Sequence, residues 1–438
     1  MKLRSLFIGA IAATALAVPI AGSALAADEI FVPLLVYRTG PYAPSGVPIA
    51  NGMIDYMKLI NERDGGLNGA KLVWEECETQ YDTKQGVECY ERLKSKHPVL
   101  VNPYSTGITY QLIPKAAVDK IPIHSMGYGM TAAADGQWFP WVFNFPTTYW
   151  SQASAFIRFV GMKEGGLDKL KGKKIAHVFH NSAYGKEANP TLEVLAQKYG
   201  FELTLLPVDH PGQEQKATWL QVRRLKPDWV FMSGWGVMNS VAIKEAVAIN
   251  YPMDHFVGNW WSGSEADVEP AGKGSVGYIS ATFHGAGTDF PVFKDIKKYV
   301  YDKNNGAGEW GRVGEALYNR GVVNAAFDVE AIRTAQNHFK VKVPTGEQVR
   351  WGLEHDEISA ARLKELGLEG FTHPIKVTCN DHEGNGPVAF QQWDGKTWKR
   401  ISDWVSPMAD VVRPNIEKAA EEEGKKLGYS VRSCKSES

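Results

Sequence analysis

The chain has 438 residues, of which 44% are hydrophobic and 22% charged, and its formal net charge at pH 7 is −1. This near-neutral balance argues against a nucleic-acid partner and gives no reason to expect an anionic membrane surface as partner. The length suits a globular protein of two ordinary domains, and 14 tryptophans are the unusual feature. An indole ring offers a flat apolar face that can hold a ligand.

The first 26 residues have the pattern of an export signal. Lys2 and Arg4 precede an apolar stretch, residues 6–18, and Ala24 and Ala26 form a small-x-small cleavage site. Cleavage near Ala26 leaves 412 residues (438 − 26) and changes the formal charge from −1 to −3 through loss of Lys2 and Arg4. No later run of 18 apolar residues occurs, so the mature chain is expected to be periplasmic and to lack a membrane span.

Strand and helix patterns alternate twice along the chain. In the first half, strands are predicted at 30–36, 70–75, 99–101 and 121–124, and helices at 49–61, 83–96 and 113–119. After Phe145, helices are predicted at 150–161, 191–199, 217–225 and 238–250, and strands at 174–179, 201–207, 229–233 and 255–258. Such alternation indicates parallel strands with right-handed crossovers, and hence two α/β halves.

The last third of the chain is predicted to be mainly helical. Helices are predicted at 292–304, at 314–335, from about 345, and at 414–427. Residues 371–378 and 388–393 are predicted to be strands around an Asn385-Gly386 turn, which is a hairpin signal.

Residues 99–112 combine a strand, a turn and the start of a helix. The apolar residues 99–101 precede a polar turn, 104–107, after which apolar residues recur at helical spacing. The free N–H groups and the positive dipole end of such a helix bind small anions. The hydroxyls of Ser105 and Thr106 either cap this helix or bind a ligand, and this stretch alone leaves both readings open.

The four cysteines permit three disulfide pairings in an oxidising compartment. Pairing neighbours in the sequence joins Cys77 to Cys89 and Cys379 to Cys434, and the second bond would attach the C-terminal tail to the body. A zinc site is the rival interpretation, although the spacing contains no C-x-x-C pair.

Several motifs, in this order and spacing, resemble the leucine-binding-protein family. They are residues 39–42 (TGPY), 61–69 (NERDGGLNG), Cys77 and 82–86 (DTKQG). This family comprises the type I solute-binding proteins of ABC importers for branched-chain amino acids, amides, urea and aromatic acids. The segments 379–384 and 391–395 are similar to those of a subgroup of the same family.

The resemblance implies an α/β fold of two Rossmann-like lobes with parallel sheets, joined by three hinge crossings near Phe145, Thr282 and Phe371. The expected division is lobe 1 at 28–145 plus 283–370, lobe 2 at 146–282 plus 371–405, and a tail at 406–438. The solute is held between the lobes, at the carboxyl ends of the strands. The implied partners are this solute, an ABC permease and a separate ATPase, with no cofactor, no metal, and a monomeric state.

The resemblance also assigns ligand-binding positions, which lie on five turns. In lobe 1, Tyr104, Ser105, Thr106 and Gly107 would bind the carboxylate of the solute. The next turn of that lobe, with Gly127 and Tyr128, would offer further backbone N–H groups. The positions implied in lobe 2 are Tyr184, Trp235, Asn259 and Trp260. Arg38 and Tyr42 are additional candidates beside the first strand, and Trp150 is a further aromatic candidate.

Amino-acid binders of this family commonly carry an acidic residue after the strand at 256–258, where this chain has Asn259-Trp260-Trp261. Burying an ammonium group without a carboxylate partner is costly. An aromatic or other carboxylate without an ammonium group is therefore the favoured ligand. A quaternary amine caged by Tyr128, Trp235 and Trp260, a branched-chain amino acid, or an amide are the alternatives.

Enzyme motifs are absent from the sequence, which contains no G-x-S-x-G, H-E-x-x-H or Walker A pattern. Asp381, His382 and Glu383 are the alternative acid–base or metal-ligand set, beside Cys379 and away from the expected cleft. The chain is therefore predicted not to be an enzyme, with a secreted hydrolase and a receptor sensor domain as remote alternatives.

Overall fold

The computed structural model describes residues 28–384 and 386–436. The expected export signal at 1–26, with its cleavage site at Ala26, lies outside the described residues, as does Asn385 of the predicted turn. Among the described residues, no helix combines the length and the apolar character needed to cross a membrane.

Strands and helices alternate along most of the described chain. The first part contains β1 (Glu29–Val36), α1 (Ala43–Arg63), β2 (Lys71–Glu78), α2 (Thr83–Leu93), α3 (Thr106–Asp119), β3 (Ile123–His124) and β4 (Val142–Phe143). The second contains α4 (Tyr149–Glu164), β5 (Lys174–His180), α5 (Ala183–Lys186), α6 (Asn189–Tyr199), β6 (Glu202–Val208), α7 (Lys216–Leu225), β7 (Trp229–Ser233), α8 (Val237–Ala248), β8 (Phe256–Gly258), α9 (Glu265–Val268) and β9 (Ile279–Thr282). The third contains α10 (Pro291–Tyr299), α11 (Ala316–Phe339), α12 (Gly346–Glu354), β10 (Glu357–Ile358), α13 (Ala360–Glu365), β11 (Ile375–Lys376), β12 (Ala389–Trp393), β13 (Trp398–Arg400) and α14 (Ala409–Lys426).

The first sheet is parallel and short-stranded. β1 pairs in parallel with β2, and β3 with β4. Parallel bridges from Leu34 to Asn102 and from Val101 to Ile123 place residues 101–102 between β1 and β3. The predicted strand at 99–101 is thus reduced to this two-residue contact. Buried apolar residues such as Leu34 and Val101 cover both faces, as expected where helices pack on both sides of a sheet.

The second sheet has seven strands in the order β13-β12-β9-β8-β7-β5-β6. The five strands β5, β6, β7, β8 and β9 run parallel to one another. β12 pairs antiparallel with β9 and is followed by the edge strand β13. Both predicted α/β halves are therefore present, and the mainly parallel α/β class is confirmed.

The hairpin predicted around Asn385-Gly386 is wrong. β11, within the first predicted strand, pairs antiparallel with β10 instead, whereas β12 pairs with β9 and β13. The turn that does close a hairpin lies at 394–397, where the Asp394 carboxylate accepts hydrogen bonds from the backbone N–H groups of Lys396 and Thr397. The Asn385-Gly386 sequence does not determine the pairing here, because β12 pairs with the edge of β9 instead.

Helix α1 begins six residues before its predicted start at Ile49, since its first residue is Ala43. Pro44 lies in the first turn, where its missing N–H costs no intrahelical hydrogen bond. Pro48 lies inside the helix, and tertiary packing of α1 against α11 retains the helix there.

Two disulfide bonds form, Cys77–Cys89 and Cys379–Cys434, which is the sequence-local pairing. The second bond holds the end of the tail beside the body. Helix α14 packs its buried residues Val412 and Ile416 against Ala134, and Tyr429 beyond it donates a hydrogen bond to the carbonyl oxygen of Ile113.

Candidate ligand-binding site

A small cavity lies between the two sheets and is lined by ten residues. Eight of them are aromatic and none is charged; they are Tyr37, Tyr81, Tyr104, Ser105, Thr106, Tyr128, Tyr149, Tyr184, Trp235 and Trp261. Most follow the carboxyl end of a strand, because parallel strands direct the loops at those ends to the same edge of a sheet. Tyr37 follows β1, Tyr184 follows β5 and Trp235 follows β7.

The start of α3 contributes the polar part of the wall. Ser105 is the N-cap of this helix, and its Oγ accepts a hydrogen bond from the Ile108 N–H at 3.4 Å. Thr106 Oγ1 accepts one from the Gly129 N–H at 3.1 Å. The N–H groups of Thr106 and Gly107 have no acceptor in the described part of the chain. The capping interpretation is confirmed for Ser105, and binding of a ligand by these hydroxyls stays a prediction. Two backbone donors at the start of the helix remain free.

Tyr104 and Tyr128 pack together on this wall, with ring centroids 6.0 Å apart. Tyr104 adopts a φ of +50°, which is uncommon for a residue with a side chain. Its N–H donates a hydrogen bond to the Tyr128 hydroxyl at 2.7 Å, which holds this backbone in place.

The opposite wall contains Tyr184, Trp235 and Trp261. The Tyr184 hydroxyl donates to the Gly234 carbonyl oxygen at 2.8 Å and accepts from Asn259 Nδ2 at 2.7 Å. Asn259 is therefore not a lining residue but orients one. Trp235 and Trp261 meet edge to face at 5.2 Å, and the buried Trp235 Nε1 has no partner among the described residues.

Trp260 is not among the lining residues, and its neighbour Trp261 takes that place. The Trp260 ring stacks on Tyr149 with centroids 5.6 Å apart, and its N–H donates to the Gly127 carbonyl oxygen at 2.9 Å. The Trp261 N–H donates to the same oxygen at 3.3 Å. The carbonyl oxygen of Gly127 therefore connects a loop of the first sheet with a loop of the second.

The turn at Gly127 and Tyr128 does not offer free backbone donors, contrary to expectation. The Gly127 N–H donates to the Asn144 carbonyl oxygen, and the Tyr128 N–H donates to that of Ser125. Tyr128 contributes its ring and hydroxyl instead.

Two further candidates lie away from the lining. Tyr42 packs on Tyr81, and its hydroxyl hydrogen-bonds with His180 Nε2 at 2.9 Å, directly behind the cavity wall. Burial raises the pKa of Tyr42 to about 12 and lowers that of His180 to about 4, so both are neutral at pH 7. Arg38 lies outside the cavity, in an ion pair with Glu76.

Four lining residues were not identified from the sequence, namely Tyr37, Tyr81, Tyr149 and Trp261. Tyr37 directly follows the strand at 30–36, and Trp261 directly follows Trp260. Their positions just after strand ends could therefore have identified them as lining residues. Tyr149 is adjacent to the candidate Trp150, whose own indole N–H donates to the Glu187 carbonyl oxygen.

The cavity provides no negative charge. Burial raises the pKa of all six lining tyrosines, so their hydroxyls stay protonated at neutral pH. With neither an acidic side chain nor a tyrosinate in the lining, an α-ammonium group would be buried without a partner. The arrangement suits a flat apolar molecule that accepts hydrogen bonds.

The alternative acid–base set has structural contacts. His382 is buried, and its Nδ1 hydrogen-bonds with the Val142 carbonyl oxygen at 2.7 Å. Glu383 accepts hydrogen bonds from the N–H and the hydroxyl of Thr148, at the start of α4. These residues anchor the segment after Cys379 beside β4, and none of them lines the cavity.

Comparison with known proteins places the chain among binding proteins of transporters. A family model described as periplasmic binding protein matches residues 29–397. A crystal structure described as an ABC transporter permease from the Pseudomonas fluorescens group is 45% identical, with a TM-score of 0.87, and the match covers 93% of this chain and 99% of that one. No curated protein sequence matches.

More distant structures share the fold. A branched-chain amino acid ABC transporter protein from Thermus thermophilus with bound valine is 21% identical, with a TM-score of 0.75 and 89% and 99% of the two chains covered. An R. palustris solute-binding protein in complex with benzoate is 16% identical, with a TM-score of 0.66 and 86% and 97% covered. The extent of the family match and the 45% identical relative show that this chain belongs to the periplasmic binding protein family.

Proposed function

We propose that this protein is the solute-binding component of an ABC importer and that its ligand is a small aromatic carboxylate. The observation that carries the ligand class is that the cavity lining has no carboxylate, while unpaired N–H donors lie in it or at its edge. They are the Trp235 indole N–H and the N–H groups of Thr106 and Gly107 at the start of α3. A carboxylate accepts such bonds, and the helix dipole favours its charge.

The lining of the cavity supports a ligand with an aromatic ring. Eight aromatic side chains form its walls, and aromatic rings pair favourably by offset stacking or edge-to-face contact.

A quaternary amine is the second candidate, because the same eight rings resemble an aromatic cage for a methylated ammonium. Such a ligand accepts no hydrogen bonds at its cationic end, so it leaves the Trp235 N–H without a partner. An amide satisfies the donors but makes no use of the helix dipole. A branched-chain amino acid needs a carboxylate partner that the lining lacks.

The proposed mechanism is closure of two lobes, 28–145 plus 283–370 and 146–282 plus 371–405, with 406–438 as the tail. Support comes from the two separate sheets and from the antiparallel bridge between His284 and Thr372, at two of the expected crossings. The closed form is held by contacts such as that between Trp260 and Gly127, and it delivers solute to a permease served by a separate ATPase. Export through a cleaved signal, a periplasmic location and a monomeric state belong to this proposal.

Titration calorimetry with benzoate, benzamide, leucine and glycine betaine tests the ligand class. Tryptophan fluorescence provides a second readout, because Trp235 and Trp261 line the cavity. We expect saturable binding of benzoate and none of leucine or glycine betaine. Binding of leucine or betaine without a response to benzoate would overturn the assignment.

A further inference from the structure

We propose that Arg320 makes the site selective for anions, by placing an uncompensated positive charge directly behind the aromatic wall. This inference rests on the proposed function and adds to it the residue that distinguishes a carboxylate from a neutral ligand of the same shape. Arg320 lies on α11, outside the set of lining residues, and the sequence patterns gave no indication of it.

Arg320 is one of the largest fully buried side chains of the protein. Its guanidinium carbon lies 4.8 Å from the ring centre of Trp261, which lines the cavity, and 4.2 Å from that of Phe283. Its Nε donates to His284 Nε2 at 2.7 Å, and its Nη2 donates to the Trp260 carbonyl oxygen at 3.0 Å. The third nitrogen, Nη1, is buried and has no partner among the described residues.

No carboxylate within the described ranges forms an ion pair with Arg320. Tyr104, Tyr149 and Tyr184, all three of which line the cavity, are close enough to interact electrostatically with Arg320, but they are neutral at neutral pH and do not balance its charge. Since the pKa of a guanidinium is ordinarily above 12, the lowering by burial, to about 9, still leaves Arg320 charged at neutral pH.

A buried charge without a counter-charge is costly, and this protein retains one beside its candidate site. A ligand carboxylate in the cavity supplies the missing negative charge across the Trp261 ring. Because this region excludes water, the attraction is much stronger than it would be in solvent. A neutral ligand gains nothing from this charge, and a cation is repelled by it.

The test compares benzoate with benzamide, which share one shape and differ in charge, on the full-length mature protein. Wild type should bind benzoate at least about 10-fold more tightly than benzamide. In Arg320→Gln, which keeps amide donors but removes the charge, benzoate affinity should fall by about 10-fold or more while benzamide affinity changes less than about 3-fold. Arg320→Lys, which keeps the charge, should retain the preference for benzoate.

Arg333→Gln is the matched control, because Arg333 lies on the same helix and pairs with Glu330 away from the cavity. It should leave both affinities unchanged. Equal loss of both ligands in Arg320→Gln would overturn the inference, since a structural role weakens binding of both alike. Should Arg320→Gln fail to fold, the test becomes the ratio of benzoate affinity to benzamide affinity in wild type and in Arg320→Lys. A ratio near one in both proteins would overturn the inference.

Failure of the proposed function gives a different result, because wild type would then bind neither compound.

Discussion

The indole N–H of Trp260 donates a hydrogen bond to the carbonyl oxygen of Gly127 at 2.9 Å, and this bond joins the loops after strands of two different sheets. Trp261 donates to the same oxygen at 3.3 Å. Gly127 has a φ of +68°, and a side chain there would approach the Trp260 ring to 3.3 Å. The turn is thus shaped to bring its carbonyl group to both indoles.

Replacing Trp260 by Phe should weaken solute binding through the proposed lobe closure. The ring stacking on Tyr149 is largely kept, but the hydrogen bond to Gly127 is lost, and one such bond contributes about 0.5–1.5 kcal/mol. We expect affinity to fall about 2- to 10-fold, with scattering showing a more open average shape. Trp219→Phe, which removes a buried indole N–H bonded to Gln215 far from Gly127, is the control. Unchanged affinity in Trp260→Phe would argue against this contact as a closing element.

Replacing Trp235 by Phe should lower affinity far more than stability. The buried Trp235 N–H has no partner among the described residues, so the gain from its removal offsets the packing lost with the larger ring, and the free energy of unfolding should change by less than about 1 kcal/mol. Loss of a donor to a bound carboxylate should lower benzoate affinity by about 10-fold or more. Urea denaturation and calorimetry measure the two effects.

The comparison for this variant is Trp229→Phe, whose indole N–H donates to Glu164 at 2.8 Å. That change should destabilise the protein without affecting benzoate affinity. If Trp235→Phe binds benzoate as tightly as wild type does, the Trp235 N–H does not bind the ligand.

Asp267 should make the free energy of unfolding depend on pH. This buried carboxyl accepts hydrogen bonds from Ser264 N–H and Asn239 Nδ2, and burial raises its pKa to about 7. In the unfolded chain its pKa is about 3.9, so the folded state binds the proton more tightly. Its contribution to stability is therefore complete below about pH 4 and is lost as the pH rises towards 7, at up to about 1.4 kcal/mol per pH unit.

Urea denaturation of wild type and Asp267→Asn across this interval measures that contribution. Glu383 and Glu265, with pKa values raised by burial to about 7 and about 8, act in the same direction in both proteins. The difference between the proteins therefore reports Asp267 together with its repulsion of Glu265. We expect a flatter pH profile for Asp267→Asn. Parallel profiles would show that Asp267 is ionised in the folded protein.

The two disulfide bonds should differ in their contribution to stability. Cys77 and Cys89 are 12 residues apart, whereas Cys379 and Cys434 are 55 apart. By chain entropy, the shorter loop corresponds to about 3 kcal/mol and the longer to about 4 kcal/mol. Replacing each pair by Ser and measuring the free energy of unfolding should show the larger loss for Cys379–Cys434. An equal or smaller loss would indicate that the tail is held mainly by its packing, for example of Ile416.

The sequence by itself determined the α/β alternation, because buried parallel strands require continuous apolar runs and their crossover helices require apolar stripes. The resemblance to the leucine-binding-protein family, read from the sequence, also indicated which turns meet at the cavity, and such turns meet because loops after parallel strands lie at one edge of a sheet. Tyr104, Ser105, Thr106, Tyr128, Tyr184 and Trp235 were named from that resemblance, and all line the cavity.

Only the tertiary structure decided which neighbour in a turn faces the cavity. Trp260 and Trp261 have the same local pattern, and the position of the Gly127 carbonyl oxygen selects Trp261 as the lining residue. The partner of β12 was likewise decided by a strand more than a hundred residues earlier. Arg320 became visible only in three dimensions, because helical periodicity marks a buried face but does not show which cavity or charge that face meets.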